Sequence, residues 1–259
     1  MEVFAVQGLP EVRPGDDLAG LIDERADLRP GDVVLVASTV VSKAEDRKAD
    51  LSAFPAGERA RRIASRLETI TGDPKDPRFA QAVIEESEEL LLEAPFLLAV
   101  TRFGHITVNA GIDRSNVPDG DLLLLPRRPD ESAARIRTGL EHENPVVVTD
   151  TSGRPFRHGQ RGVALGYAGM PASRDWRGER DRDGRELGVT VQSVVDELAG
   201  AANLVTGEGG GGTPVAVVRD WSFGDHDGSD ELFRDPGKDV VRQALRQWRY
   251  TEDSDWSPE

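Results

Sequence analysis

Residues 146–159 read VVVTDTSGRPFRHG, an apolar run that gives way to a polar one. The three valines predict a buried strand, and the polar residues predict the loop where it ends. Side chains at the carboxyl end of a strand lie where open sheets commonly bind ligands. Asp150 and Thr151 offer hard oxygen atoms that suit Mg²⁺ or Mn²⁺, and Arg154 and Arg157 offer groups that hold phosphate oxygens. This pattern indicates either a metal and phosphate site or a turn that merely ends the strand.

The strand predicted over residues 33–37 ends in a similar way. Ser38 and Thr39 follow it directly, and Lys43 comes shortly after. Hydroxyl groups and a lysine at this position can hold phosphate oxygens, but such residues also commonly cap local structure. The spacing of these residues does not decide between a phosphate site and a local cap.

A third polar loop follows the strand predicted over residues 105–109. It offers Asp113, Arg114 and Asn116. Asp113 alone is typical of a turn. Together with Asp150, it favours one shared metal ion if the two strands lie near each other.

Composition excludes several kinds of protein. The 259 residues carry a formal net charge of −15, and only four of the 32 basic residues are lysines. A strongly acidic chain lacks the basic stripe that nonspecific nucleic-acid binding needs. The acidic, arginine-rich balance favours adaptation to concentrated salt over an ordinary acidic protein, because salt screens self-repulsion. Without cysteine, disulfides and thiolate metal sites are excluded, so oxygen atoms should hold any metal.

No apolar run approaches the length of a membrane span, and the first residues read as a strand without a basic leader. We therefore expect a cytoplasmic protein that binds no membrane.

Alternating strand and helix patterns predict a mixed α and β architecture. The longest predicted helical regions are residues 57–92, with a break near residues 72–74, and residues 190–204; a last helix is predicted near residues 240–248. Residues 207–212 formally fit G-x-G-x-x-G, but a helix precedes them and a strand follows, so the Rossmann fingerprint is rejected. The chain also lacks G-x-x-x-x-G-K-[ST], which argues against a P-loop protein. The glycine run is either a flexible loop or a backbone cradle for phosphates, with Glu208 as a metal ligand.

Several segments share their order with one known family. They are GLP at 8–10, GDVV at 31–34, STVVSKAE at 38–45, NAGIDRSNVP at 109–118, TDTSGRP at 149–155, DELA at 196–199 and the glycine run. Together they resemble the coenzyme F420-0:L-glutamate ligases, the GTP-dependent γ-glutamyl ligases of deazaflavin biosynthesis.

The resemblance implies an α+β fold with several buried strands and flanking helices, in a two-lobed subunit of an intertwined homodimer. It implies a single ligase unit over residues 1–259 with lobes built from interleaved segments, whereas residues 220–259 form an acidic C-terminal segment outside the match. The implied reaction adds L-glutamate to the lactyl carboxylate of the deazaflavin precursor, then to the γ-carboxylate of the glutamate just added.

The resemblance also implies roles for particular residues. GTP would contact Gly8, Leu9, Pro10, Glu11, Ser38, Thr39, Lys43 and Asn116. Its phosphates would be wrapped by Thr206, Gly207, Glu208, Gly209, Gly210, Gly211, Gly212 and Thr213. Asp113 and Asp150 would hold one Mg²⁺ or Mn²⁺, and Thr151 and Glu208 a second, with K⁺ a further candidate cofactor.

One position departs from the family pattern, where Gln is expected in place of Glu208; a carboxylate binds a divalent cation more strongly than an amide does. Three arginines are candidates for countering the charge of the anionic substrates, Arg114, Arg154 and Arg157, and we count Arg154 among the catalytic residues with Asp113 and Asp150.

Two other functions use similar residues. Strand-end aspartates with a phosphate-binding loop also serve metal-dependent phosphohydrolases, and a GTP-binding regulator would need the same contacts without turnover.

Overall fold

The computed structural model describes residues 1–114 and 120–251. Its strands in chain order are β1 (Glu2–Ala5), β2 (Val33–Ala37), β3 (Lys48–Ala49), β4 (Ser87–Leu92), β5 (Leu98–Thr101), β6 (Ile106–Val108), β7 (Leu122–Leu123), β8 (Val146–Ser152), β9 (Arg161–Ala168), β10 (Ser173–Asp175), β11 (Val191–Ser193), β12 (Val215–Arg219) and β13 (Asp227–Ser229). Its helices are α1 (Leu18–Asp23), α2 (Ser38–Ala44), α3 (Glu58–Thr71), α4 (Pro77–Glu86), α5 (Pro129–Gly139), α6 (Val194–Thr206) and α7 (Val240–Gln247). The predicted α+β class is confirmed.

The chain divides into two compact units. The first is made of Met1–Asp46 and Arg128–Leu232, and the second of Arg47–Arg127 and the residues from Phe233 onward. The acidic segment that begins at residue 220 therefore contributes to both units. Its strand β13 pairs with β10 in the first unit, and its helix α7 contacts β4 in the second.

A five-stranded sheet in the order β1-β12-β2-β8-β9 forms the centre of the first unit. Strands β2 and β8 run parallel, and the other neighbouring strands are antiparallel. Strands β2, β8 and β12 are rich in valine, and their valines are fully buried. Continuous apolar runs form the inner strands because both faces of the sheet are covered.

Each face of this sheet has its own core. Val34, Val36, Val146 and Val148 pack with residues of α1, α2 and α5. Val33, Leu35 and Val147 pack instead with α6. Neighbouring strand residues point to opposite faces, so the two sets alternate along β2 and β8.

Close approach between α6 and β9 fixes the position of that helix. A Cβ atom at Gly162 of β9 would lie 2.3 Å from the backbone oxygen of Ala199 and 3.0 Å from Cβ of Asn203. Glycine at this position therefore lets the helix backbone rest directly on the strand.

A buried ion pair joins the start of β2 to the end of β12. The Arg219 guanidinium donates to the Asp32 carboxylate, with Nη2 2.7 Å from Oδ2, and Asp32 is 2% exposed. Burial alone would raise the pKa of Asp32, but hydrogen bonds from Arg219 and the Arg29 amide outweigh burial and lower this pKa.

The second unit contains the sheet β4-β5-β6, the pair β3-β7, and helices α3 and α4. The prediction of helix through residue 92 was wrong, because residues 87–92 form β4 and pair with β5. Glu89 of β4 accepts hydrogen bonds from Arg246 and Arg242 of α7, and these arginines lower its pKa to about 2 despite the opposing effect of burial. Tertiary pairing thus overrides the helical propensity of this Glu- and Leu-rich segment.

None of the helices within residues 1–114 and 120–251 is long and apolar enough to cross a membrane.

Candidate functional site

Two parallel strands of the first unit bring their polar residues together at the point where β2 ends. Ala37, the last residue of β2, lies opposite Thr149 of β8. The next residue along each strand therefore meets its counterpart, and Ser38 Oγ donates to Asp150 Oδ1 at 3.2 Å. Ser38 is 2% exposed, so this contact fixes the Asp150 carboxylate against the start of α2.

Two antiparallel strands bring further segments to the same edge. The Ala37 amide donates to the Pro214 carbonyl at 2.8 Å, so the glycine-rich loop before β12 ends where β2 ends. The Val6 amide donates to the Val215 carbonyl at 2.8 Å, so the segment after β1 also leaves the sheet here. Gly8 in that segment has φ +76°, a left-handed conformation that glycine adopts without strain.

A salt bridge links the segment after β1 to α2. Lys43 Nζ lies 2.6 Å from Glu11 Oε1. Lys43 is 8% exposed, whereas the Glu11 side chain is 64% exposed. Leu9 packs against the α1 and α2 core, and this contact anchors the segment that carries Glu11. Lys43 is therefore a buried cation whose partner carboxylate reaches into solvent.

Asp150 and Thr151 are consecutive residues of β8 and point to opposite faces of the sheet. Asp150 meets Ser38 on the α2 face. Thr151 faces α6 instead, and its Oγ1 donates to Glu208 Oε1 at 2.9 Å. This end of the sheet therefore carries two separate oxygen sets: the first is Asp150 with Ser38, and the second is Thr151 with Glu208.

Asn203, in the last turn of α6, completes the second set. Its Nδ2 donates to Glu208 Oε1 at 2.5 Å and to Thr151 Oγ1 at 3.4 Å. Because a carboxylate only accepts hydrogen bonds, the amide nitrogen must face Glu208.

The glycine-rich loop is exposed and is closed at its base. Residues 207–212 are all exposed, whereas Thr206 and Thr213 are half-buried. Thr213 Oγ1 donates to the Thr206 carbonyl at 3.1 Å and ties the two ends together. Arg154 and Arg157, in the turn between β8 and β9, are exposed as well. Backbone amides and arginines are thus available to an anion.

Comparison with known proteins identifies the family. The family model described as F420-0:Gamma-glutamyl ligase matches residues 8–220. The chain belongs to this family. Relatives named Coenzyme F420:L-glutamate ligase include one from Halorubrum lacusprofundi, 76% identical over 250 residues, which cover 96% of this chain and 99% of the relative. The relative from Haloarcula marismortui is 68% identical over 257 residues, 98% of this chain and 100% of its own length. The relative from Archaeoglobus fulgidus is 48% identical over 251 residues, which cover 95% of this chain and 98% of the relative.

The region that matches the F420-0:gamma-glutamyl ligase family spans both units. Most of the predicted site residues lie in the first unit, namely Gly8, Leu9, Pro10, Glu11, Ser38, Thr39, Lys43, Asp150, Thr151, Arg154 and residues 206–213.

Asp113 and Arg114 lie in the second unit. Asp113 exchanges two backbone hydrogen bonds with Leu123 of β7, at 2.8 and 3.0 Å. The Arg114 guanidinium lies 5.5 Å from the centre of the Phe79 ring. Asn116 lies outside the described residues. The pairing of Asp113 with Asp150 stays a prediction.

Within the described residues, no three or more His, Asp or Glu side chains gather into a group that could hold a metal ion. Asp150 with Ser38, and Glu208 with Thr151, instead offer one carboxylate and one hydroxyl each. Their hard oxygen atoms fit Mg²⁺ or Mn²⁺ in kind, and such ions complete their coordination with water and substrate phosphates.

Asn203 is the site residue that the sequence did not reveal. It lies inside a helix whose pattern indicates core packing, and it belongs to none of the family-like segments. The one signal that could have found it is its spacing, four residues before the glycine run.

Proposed function

We propose that this chain is a ligase that joins L-glutamate to the deazaflavin precursor of coenzyme F420, with GTP as the phosphoryl donor and divalent metal ions as cofactors. Membership of the F420-0:gamma-glutamyl ligase family supports the reaction. One structural observation carries the choice of site: the segment after β1, the ends of β2 and β8, and the glycine-rich loop leave one sheet at the same edge.

The chemistry requires activation of a carboxylate, since direct amide formation would expel oxide. An oxygen of the precursor's lactyl carboxylate attacks the γ-phosphorus of GTP, the bond to the β-phosphate oxygen breaks, and GDP leaves. The deprotonated amine of glutamate then attacks the acyl carbon, and phosphate departs as the amide forms. A second cycle uses the γ-carboxylate of the glutamate just added. Such phosphoryl transfer depends on positioning and charge rather than on covalent help from protein.

The phosphates of GTP would lie along the glycine-rich loop. Its backbone N–H groups can donate to phosphate oxygens, because glycine has no side chain that would keep the phosphates away. Lys43 would bind a phosphate oxygen. Lys43 now pairs with Glu11, whose side chain is exposed. If a phosphate oxygen took the place of the Glu11 carboxylate, Glu11 would remain in solvent and no unpaired charge would be buried. Thr39, at the start of α2, would donate a hydrogen bond to the nucleotide, whereas the single hydroxyl proton of Ser38 is used on Asp150.

Asp150, with Asp113, would hold one divalent ion, and Thr151 with Glu208 would hold the other. When bound, the ions offset the charge that develops on the phosphate oxygens and align them for transfer. The alternation of β8 supports two ions rather than one, because Asp150 and Thr151 face opposite sides of the sheet.

Arginines near the site would counter the overall charge of −15, because all three substrates are anionic. Arg154 and Arg157 lie in the exposed turn that follows β8, and Arg114 follows Asp113. Replacing Arg154 by alanine should lower kcat or raise a substrate KM. Unchanged kinetics would remove Arg154 from the site.

We also propose that the protein acts as a homodimer in the cytoplasm of a salt-adapted cell. K⁺ would be a further cofactor. Relatives from halophilic archaea support the salt adaptation. Light scattering in molar KCl tests the dimer, and exchange of KCl for NaCl in the activity assay tests the requirement for K⁺.

The deciding experiment is mass spectrometry of the deazaflavin precursor after incubation with enzyme, GTP, Mn²⁺ and L-glutamate in high KCl. We expect products heavier by one and then two glutamyl residues, formed with GDP and phosphate. GTP consumption without glutamate or precursor would favour a phosphohydrolase instead. Tight GTP binding without turnover would favour a regulator.

A further inference from the structure

The side chain of Glu208 is held by a residue outside the predicted site. Asn203 Nδ2 and Thr151 Oγ1 both donate to the same carboxylate oxygen, Oε1, at 2.5 and 2.9 Å. Three side chains from α6, β8 and the glycine-rich loop thus form one closed hydrogen-bonded set.

Asn203 is the fixed member of this set. Its Cβ lies against Gly162, where a Cβ atom would be 3.0 Å away, and its carbonyl accepts the Gly207 amide at 3.0 Å. Glu208, by contrast, is exposed and is followed by four glycines. A glycine-rich segment loses much conformational entropy when it is ordered, so an anchor on a packed helix is needed to keep the carboxylate in one place.

The chemistry of the anchor matters as well. An amide donates to the carboxylate without neutralising its charge, whereas a lysine or arginine would compete with a cation for the same oxygen atoms. Both donors act on Oε1, so neither of them occupies the other carboxylate oxygen, Oε2.

We propose that Asn203 is a positioning residue that holds the Glu208 carboxylate beside Thr151, so that Oε2 is presented to the cation at this set. The role in cation binding rests on the proposed function. The hydrogen-bonded set itself does not, and the two can be tested apart.

The test is a double-mutant cycle with Asn203→Asp, Glu208→Gln and the double variant. Asn203→Asp keeps the size of the side chain but places two carboxylates together. In the double variant the amide lies at position 208 and the carboxylate at position 203, so the hydrogen bond is restored with its direction reversed. The cycle isolates the contact because a mere effect on folding would be the same in both backgrounds.

The first readout is hydrogen exchange of the Gly207 amide, which donates to the Asn203 carbonyl at 3.0 Å, in protein free of metal and nucleotide. Asn203→Asp should speed its exchange by about ten-fold, because a hydrogen bond to a charged group is lost and two carboxylates repel each other. In the Glu208→Gln background the same change should have less than about a two-fold effect. An equal effect in both backgrounds, or no effect in either, would overturn the proposal.

The second readout is Mn²⁺ binding, measured by the electron paramagnetic resonance signal of free Mn²⁺. Loss of an outer partner of a ligand typically weakens metal binding by about ten-fold or more. Asn203→Leu, which removes the donor without adding a carboxylate that could itself bind the ion, should do so here. If Gly207 exchange shows the coupling and Mn²⁺ binding does not change, the positioning contact stands and the metal role in the proposed function fails.

Discussion

Replacing Gly162 by alanine tests whether the packing of α6 against β9 controls the candidate site. The added Cβ would lie 2.3 Å from the carbonyl oxygen of Ala199, whereas ordinary contacts begin at 3.4 Å. The atom that must give way is helix backbone, which cannot rotate aside as a side chain can. To relieve the overlap, α6 must retreat from β9 by about 1.1 Å, the difference between these two distances.

This shift should affect stability and catalysis through different contacts. Overpacking of this kind costs about 1–3 kcal/mol, which lowers Tm by roughly 2–12 °C for a chain of this size. Asn203 lies one helical turn beyond Ala199 and moves with it, so its contact with Glu208 is pulled apart. A displacement near 1 Å at a catalytic site reduces turnover by about a hundred-fold. We therefore expect kcat to fall far more than the loss of folded protein at the assay temperature would explain.

Gly200→Ala, in the same helix, is the matched control. A Cβ atom there would meet nothing within 4 Å. Because glycine disfavours a helix interior, this change should stabilise the protein by about 0.5–1 kcal/mol and leave turnover unchanged. Calorimetry and steady-state kinetics in molar KCl measure both variants. If Gly162→Ala melts and turns over like the parent protein, the close approach of α6 does not control the site.

Three further predictions concern charge. Lys43→Ala should raise the KM for GTP by about ten-fold or more with little change for glutamate, because the buried ammonium is lost. Lys75→Ala, a half-buried lysine that pairs with Asp73, is the control, and an unchanged KM in Lys43→Ala would exclude Lys43 from phosphate binding. Glu89 has its pKa lowered from 4.5 to about 2, so its contribution to stability is complete above pH 4.5 and is lost as the pH falls toward 2. Glu89→Gln should therefore flatten the pH dependence of the unfolding free energy in that window, and an unaltered slope would show that the arginines of α7 do not stabilise the ionised form. Finally, Tm should rise steeply between about 0.1 and 2 M KCl, because salt at molar strength screens charges beyond roughly 3 Å; a flat response would contradict salt adaptation at a net charge of −15.

The sequence predicted the elements whose pattern has one physical explanation. The valine runs of β2, β8 and β12 could form only buried strands, because they are too short for buried helices and end in polar turns. Residues 87–92 misled the prediction since glutamate and leucine favour helices, and only pairing with β5 makes a strand of them. Glu89 in this segment meets two arginines from a helix some 150 residues later, a distance in sequence that no local pattern spans.

The sequence predicted those residues of the candidate site that belong to a recognisable motif. Strand-end residues such as Ser38 and Asp150 stand out because polar side chains follow an apolar run. Their adjacency depends on sheet order, which the sequence left open; the parallel pairing of β2 with β8 supplies it. Asn203 has no such signal, because its contact with Glu208 depends on where the packing against Gly162 places α6.

The register of β8 explains why one short strand can serve two oxygen sets. Val146 and Val148 face the core formed with α2, which places Asp150 on that face beside Ser38. Thr151, one residue later, must face α6 and Glu208. A shift of one residue would exchange these faces and send Asp150 toward Asn203. The pairing of Ala37 with Thr149 fixes the register, so the valines that build the core also determine which side chain each oxygen set receives.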